Sequence, residues 1–369
     1  MCVVLLAAQA WNRIALSSLD YRRRLKFRRG FPGEEVPLEI AIENRKALPL
    51  AWLRTSDRWA PEVGPKEESI LSANHQGGEA ALNLVVVMRG FERIRRRYQL
   101  LFRRRGVFTI GPAAALSGDP FGLYQSESLV QPAQQVVVYP EIVPARELGL
   151  SPDDPFGDRK SLRRLFEDNT QTLGVRDYLP GDSLRRIHWP ATARTSRLQT
   201  RIYQPISGLD LIICLNAATY PRHWEGTNPA LLEALVRTAA SLVKEAYDLG
   251  YRVGLISNGS IAHADRPFRI APGRSPGHLP LMLEALAGLA PLITVPFERF
   301  LLLQAPRLEY GAGLVAVSAV TTEALYESLL RLRARCRRVA LISLAEVPPR
   351  AVPGIETTHR PFQAGAEGP

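Results

Sequence analysis

The chain has 369 residues, 46% hydrophobic and 22% charged, the balance of a folded protein with two or three domains of roughly 150 residues each rather than a disordered one. The net charge is +11, and residues 1–125 supply 20 basic against 12 acidic side chains, so most of the excess lies in the N-terminal third. Three scattered cysteines, Cys2, Cys214 and Cys336, point to a reducing compartment, and the absence of C-x-x-C, G-K-[ST] and H-E-x-x-H removes the usual zinc, P-loop and metalloprotease signatures.

The first 29 residues combine an apolar opening, Cys2 to Ala8, with the basic run Arg22, Arg23, Arg24, Lys26, Arg28 and Arg29. Asn12 and Arg13 interrupt the apolar segment well short of the ~20 residues that a bilayer crossing needs. A basic leader and a cleavage site are missing too. Residues 1–29 are read as an apolar and basic membrane-proximal helix, interfacial or the remnant of a longer anchor, held to anionic lipid at the cytoplasmic face of the cell membrane. The alternative is a packed helix with a solvated basic face on a cytoplasmic protein.

Residues 30–143 read as β. In Val36 to Glu43 apolar and polar residues alternate with the period of a half-buried strand. Leu82 to Val87 and Val136 to Tyr139 are further strands, and Arg103 to Gly106 is expected to close a hairpin between Tyr98–Phe102 and Val107–Ile110. Short strands with Gly and Pro punctuation predict a sandwich-like module. Arg93, Arg95 and Arg97 share one strand face, and with Arg103, Arg104 and Arg105 they offer an alternative function, nucleic-acid binding.

Residues 144–200 are rich in Asp, Arg, Gly and Pro and read as a linker segment. From 201 to 349 strands and helices alternate. Leu209 to Leu215, Arg252 to Ser257, Leu314 to Val317 and Val339 to Leu344 are strands. Asn228-Pro229 caps and opens a helix that Gly250 ends, and helices follow over Leu279 to Leu289 and Thr322 to Arg335. This order predicts a parallel, doubly wound sheet. Gly311 to Ala316 spells a dinucleotide fingerprint but runs into a strand rather than out of one, and is set aside. Residues 350–369 read as a flexible tail.

The most specific stretch is Gly174-Val175-Arg176-Asp177-Tyr178-Leu179-Pro180-Gly181-Asp182-Ser183-Leu184-Arg185-Arg186-Ile187-His188-Trp189-Pro190-Ala191-Thr192-Ala193-Arg194. It resembles the signature of the domain of unknown function 58 family, as do Asn44 to Leu50, Arg105 to Pro112 and Gly118 to Leu123. The resemblance implies a β module followed by a von Willebrand factor A-like α/β domain. It also implies two N-terminal transmembrane helices, of which this sequence would keep at most part of the second, and association with a MoxR-type AAA+ ATPase. The signature positions Gly174, Arg176, Tyr178, Gly181, Asp182, Arg185, His188, Trp189, Ala193 and Arg194 are then the expected partner or structural residues.

The residues themselves suggest how the segment is built. Pro180-Gly181 is turn chemistry, Asp182 is placed to cap a turn over Ser183 to His188, and Arg176, Arg185 and Arg194 are placed to reach Asp177 or Asp182. Trp189 is expected to anchor the segment on a domain surface. The A-like resemblance implies a metal site after the first strand, but Asn216, Ala218 and Tyr220 stand where an Asp and two Ser would bind a cation, and Ala319 stands where an acidic ligand is expected. The metal site is read as degenerate, and no cofactor is expected. The leading expectation is a non-enzymatic scaffold that docks a protein partner, a MoxR-type AAA+ ATPase, through the A-like domain and Gly174–Arg194. A hydrolase with His188 as base and Asp182 as orienter is the second alternative to it, after nucleic-acid binding.

Overall fold

The computed structural model describes residues 2–67, 71–73, 80–144, 147, 167–179, 187–205, 210–222, 225–261 and 266–362. They fall into two units. One comprises Met1–Glu141 with Ile261–His263 and Leu283–Leu289; the other comprises Ile142–Ser260, Ala264–Met282 and Ala290–Pro369.

In the first unit, helix α1 (Cys2–Ala15) turns Ala8 and Ala15 inward and leaves Val4, Leu5, Leu6 and Ile14 exposed. Six strands follow: β1 (Leu19–Leu25), β2 (Arg29–Gly30), β3 (Glu35–Asn44), β4 (Leu50–Trp59), β5 (Val63–Pro65) and β6 (Leu71–Ala73). Six more are β7 (Ala80–Met88), β8 (Arg93–Phe102), β9 (Gly106–Ile110), β10 (Ala113–Gly118), β11 (Gln125–Gln131) and β12 (Gln134–Val138). They make three sheets, ordered β1-β3-β8-β5, β11-β10-β4-β7-β6 and β2-β12-β9. The inward residues of all three, among them Leu38, Ile40, Ile42, Leu53, Trp59, Leu82, Leu100, Phe102, Ile110 and Val136, form one core. Each large side chain fully buried there contributes about 1.5–3 kcal/mol.

Three sequence expectations are corrected in this unit. The helix stops at Ala15, and the basic run sits on β1 and after it, inside the β region. Period-two alternation turns Tyr21 and Arg23 into the core, while Arg22, Arg24, Lys26, Arg28 and Arg29 stay exposed. Arg103 to Gly106 closes no hairpin, because β8 pairs with β3 and β5 whereas β9 pairs with β12 in another sheet. The helix end itself is held by Lys46, whose Nζ donates to the carbonyls of Ala15 (2.5 Å) and Ser17 (3.0 Å), a cation placed where the helix dipole is negative.

Arg23 is the residue around which this core is organised. Its side chain has no exposed surface and lies 2.5 Å from Asp57, also buried. Nε donates to Gln134 Oε1 (3.2 Å), and Nη2 donates to the carbonyls of Ile110 (3.0 Å) and Pro132 (3.1 Å). Tyr21 Oη donates to the other oxygen of Asp57 (3.1 Å), and burial, reinforced by the Asp57 charge, pushes the phenol well above its usual pKa. Gly111 is at φ +87°, and a Cβ there would stand 2.9 Å from Arg23 Nη1, so conformation and space both require glycine.

The second unit begins with β13 (Glu167–Asp177), α2 (Trp189–Thr195) and β14 (Gln199–Pro205), the two strands pairing antiparallel. The expected linker is therefore, over its described residues, a two-stranded element carrying a short helix. Then come β15 (Asp210–Leu215), α3 (Pro229–Asp248), β16 (Arg252–Ile261), β17 (Pro267–Gly273), α4 (His278–Ala287), β18 (Leu289–Ile293) and α5 (Phe297–Gln304), except that Ile261 and Leu283–Leu289 of this run are counted with the first unit. The chain ends with β19 (Gly313–Ser318), α6 (Glu323–Arg333), β20 (Arg338–Ser343) and β21 (Glu356–His359).

The sheet order is β17-β16-β15-β19-β20-β21, with β18 on β16. All neighbours from β16 to β21 are parallel, and β17 is antiparallel. The sheet is mixed, not wholly parallel. The segment expected to be a flexible tail supplies β21, because Glu356 to His359 pairs along β20 and buries nearby Ile355. The caps read from sequence are in place: Asn228 accepts from Leu231 N and Thr322 from Leu325 N, each at 3.2 Å, and Gly250 ends α3 at φ +94°. Among the described residues, no helix is long and apolar enough to cross a membrane.

Asp210, at the start of β15, titrates abnormally. Burial, with the Glu309 carboxyl beside it, raises its pKa from 3.8 to about 6, against the pull of Arg252. A folded value above the unfolded one contributes stability that is complete below pH ~4 and is lost as pH rises through about 6. Thermal midpoints of the wild-type chain should therefore fall between about pH 4 and 7. Asp210→Asn should flatten that slope and be the more stable protein at pH ~7, as calorimetry at several pH values would show.

Candidate functional site

A doubly wound sheet places ligands beyond the C-terminal strand ends, where successive connections leave in opposite directions. Here β16 lies on one side of β15 and β19 on the other, so that point lies at the ends of β15 and β19, at Asn216 and Ser318. Asn216 is buried. Its Nδ2 donates to Ser318 Oγ (2.9 Å), and its Oδ1 accepts from Asn258 Nδ2 (3.0 Å) and from the Ala218 N–H (3.0 Å). Asn258 Oδ1 accepts from the Ala217 N–H (2.9 Å), and Ser318 Oγ donates to the Val320 carbonyl (2.6 Å). Thr219 Oγ1 accepts from the Asn228 N–H (2.9 Å).

The amide of Asn216 thus has both ends committed within a closed network. A carboxylate in its place would lose the donor that meets Ser318. Ala218 brings no oxygen to the loop, and Tyr220 points a half-exposed ring outward. Among the described residues no group of three His, Cys, Asp or Glu side chains is arranged to hold a metal ion. The sequence did not flag Asn258, although an amide within β16, the neighbour of β15, is the partner that an amide at Asn216 demands.

The two buried cysteines are poor nucleophiles. Burial, then the nearby Cys336, raises the Cys214 thiol well above its usual pKa, and burial lifts Cys336 to about 11. Neither is a thiolate at neutral pH.

The signature segment forms the other surface of interest. Gly174 and Tyr178 are half-buried on and just beyond β13, with Gly174 opposite Ile202 and the Tyr178 N–H donating to the Leu198 carbonyl (2.8 Å). Gln199 ties the pieces together. Its side chain donates to Asp177 Oδ1, its N–H to Thr192 Oγ1 (3.0 Å), and its carbonyl accepts from the His188 N–H (2.7 Å). The expected arginine–aspartate lattice is therefore different at Asp177, whose carboxylate takes a buried glutamine. Arg176 Nη1 donates to the Asp177 main-chain carbonyl (3.1 Å). Gly181, Asp182 and Arg185 lie outside the described residues.

His188 caps α2, its Nδ1 accepting from the Ala191 N–H (3.0 Å). That nitrogen, in the tautomer with its proton on Nε2, is occupied and is not a free base. Trp189 is not an anchor. It begins a helix with no buried residue and is 65% exposed. Leu179 is 58% exposed, Val175 and Leu198 are also exposed, and Ala193 and Arg194 lie on the open side of α2. The segment presents apolar side chains and also exposes Arg176, Arg194 and Arg197.

The arginines of the β unit are partly committed. Arg103 donates to the carbonyls of Pro61 and Pro65, each at 3.1 Å. Arg105 donates to the carbonyls of Leu286 (2.9 Å) and Ala287 (3.1 Å), which belong to the same unit. Arg93, Arg95 and Arg97 are exposed along β8, opposite Glu43, Ala41 and Glu39 of β3, so acidic residues interleave with two of the three.

Comparisons with known proteins come to the same segment. Residues 174–350 match the model of Protein of unknown function DUF58. No curated protein matches the sequence. Among solved structures, the CARDB domain of a Pyrococcus furiosus protein is 9% identical, with 32% of this chain and 91% of that one covered and a TM-score of 0.23. A cohesin module from a Clostridium perfringens family 33 glycoside hydrolase is 10% identical, with 33% and 96% covered and a TM-score of 0.24. A type II cohesin domain of Acetivibrio cellulolyticus is 13% identical, with 33% and 95% covered and a TM-score of 0.22.

Proposed function

Taking residues 174–350 as a DUF58 region, we propose that the chain is a non-enzymatic adaptor whose α/β unit is von Willebrand factor A-like with a degenerate metal site. It docks a protein partner, a MoxR-type AAA+ ATPase, through Gly174–Arg194 and the strand-end loops. The observation that carries this reading is the pairing of two surfaces in one unit. The strand-end site that would hold a ligand is closed by Asn216, Asn258 and Ser318, while the signature segment leaves Trp189 and Leu179 open to solvent. An exposed Trp in a segment that also exposes arginines has the composition of an interface hot spot. The exposed Val4, Leu5 and Leu6 of α1, with the basic residues of β1 and beyond, support placement against the cytoplasmic membrane face.

Pull-down with a purified MoxR-type ATPase tests the docking. The wild-type chain should retain it, and Trp189→Ala should weaken retention by about tenfold or more while changing stability by less than about 0.5 kcal/mol, because the side chain is exposed. Failure of the wild-type chain to retain the ATPase, or full retention by both Trp189→Ala and Leu179→Ser, would defeat the proposal.

A further inference from the structure

The N-terminal ends of the same strands surround a pocket of about 550 Å³, lined by Asp210, Glu309, Tyr310, Arg333, Arg335 and Arg337. It lies at the opposite end of the sheet from Asn216. Its floor is acidic. The Asp210 side chain is 5% exposed, and Arg252 Nη1 stands 3.2 Å from Oδ1, yet neither carboxylate oxygen receives a well-formed hydrogen bond. The other arm of Arg252 is 3.8 Å from Glu309 Oε1. One half-exposed guanidinium thus serves two carboxylates, and one negative charge remains over. Among the described residues, Arg333 and Arg335 have no ion-pair partner. The C-terminus of α6, which Arg333 ends, adds its own negative potential.

We propose that this pocket binds a small zwitterion with a basic side chain, of the cationic amino-acid class. The ligand's guanidinium or ammonium group meets Asp210 and Glu309, and its carboxylate meets Arg333 and Arg335. Such a cation adds to the single positive charge, that of Arg252, facing the two carboxylates, where uncompensated negative charge at a buried group is costly. The guanidinium forks suit a carboxylate. A plain amine would leave the arginines unanswered, and a plain anion would face the two carboxylates, so the mixed lining selects a ligand that carries both signs. This reading stands independently of the docking proposal.

Calorimetric titration of the full chain with L-arginine, agmatine and L-norvaline tests it, together with amide chemical shifts. L-Arginine should saturate in the millimolar range or below and perturb residues 309–312 and 333–337. Agmatine, without the carboxylate, should bind about tenfold more weakly, and L-norvaline, without the cation, should not bind. Asp210→Asn should weaken L-arginine about tenfold or more without lowering the thermal midpoint, which separates lost binding from lost folding. Arg333→Ala/Arg335→Ala should weaken L-arginine and leave agmatine unchanged. Absence of saturable L-arginine binding, equal affinity of agmatine and L-arginine, or unaltered binding by Asp210→Asn would overturn the proposal.

Discussion

Arg23→Ala should destabilise the β unit by about 3–5 kcal/mol, whereas Arg22→Ala and Arg24→Ala should each cost less than about 0.5 kcal/mol. Three adjacent arginines differ this much because strand alternation puts one in the core and two in water. Removing the Arg23 guanidinium leaves the buried Asp57 carboxylate without its counter-ion. The carbonyls of Ile110 and Pro132 lose the N–H groups that reach them. The side-chain volume vanishes as well, next to a glycine that was fitted to it. The pair is more costly to break than to remove, so Arg23→Ala/Asp57→Ala should cost less than the sum of the single changes. Urea unfolding followed by circular dichroism and fluorescence, read on the transition of the β unit, measures these variants and Asp57→Ala. Equal effects at positions 22, 23 and 24 would show that Arg23 is not buried.

Asn216→Asp, the substitution that restores the acid expected of an A-type metal site, should destabilise the α/β unit by about 3 kcal/mol and confer no metal binding. The incoming carboxylate still accepts from Asn258 and Ala218 but cannot donate to Ser318 Oγ. Ser318 already gives its proton to the Val320 carbonyl and accepts the Val320 N–H, so the new contact sets oxygen against oxygen in a buried site. Such a loss, with charge added, costs more than an ordinary hydrogen bond. Ala218 offers the ion no ligand. Thermal unfolding with and without Mg²⁺ checks both halves. A midpoint that rises with Mg²⁺ in this variant would show a site needing only one residue for repair.

How much of this was legible in the sequence follows from how local each signal is. The main α/β alternation from Asp210 onward was, since Asn228-Pro229, Gly250 and Thr322 act within one helical turn and the central strands are continuous apolar runs, whereas β17, β18 and α5 were not read. The tail strand β21 was not, because Glu-Thr-Thr-His has no apolar pattern and gains its place only by pairing with β20. In the β unit, β3 alternates and β7 is an apolar run, but β4 turns Thr55 and Asp57 inward, β10 is built of small residues and β11 is a polar edge. Arg23 reads as one more solvated charge, and its partner Asp57 is 34 residues away. At the candidate site, the loss of the metal-ligand pattern at Asn216, Ala218 and Tyr220 was visible. The hydrogen bonds that fill the vacated place depend on Asn258 and Ser318, brought in by other strands. Trp189 was read as an anchor because a large aromatic residue is usually buried. The short helix α2 packs none of its residues, so here it is not.

Hydrogen exchange of the full chain, with and without a stoichiometric purified MoxR-type ATPase, tests the docking claim most directly. Slower exchange confined to residues 174–179, 187–200 and the loops after β15 and β19 is the predicted outcome. Unchanged exchange across those residues, with the ATPase present in saturating amount, would contradict it.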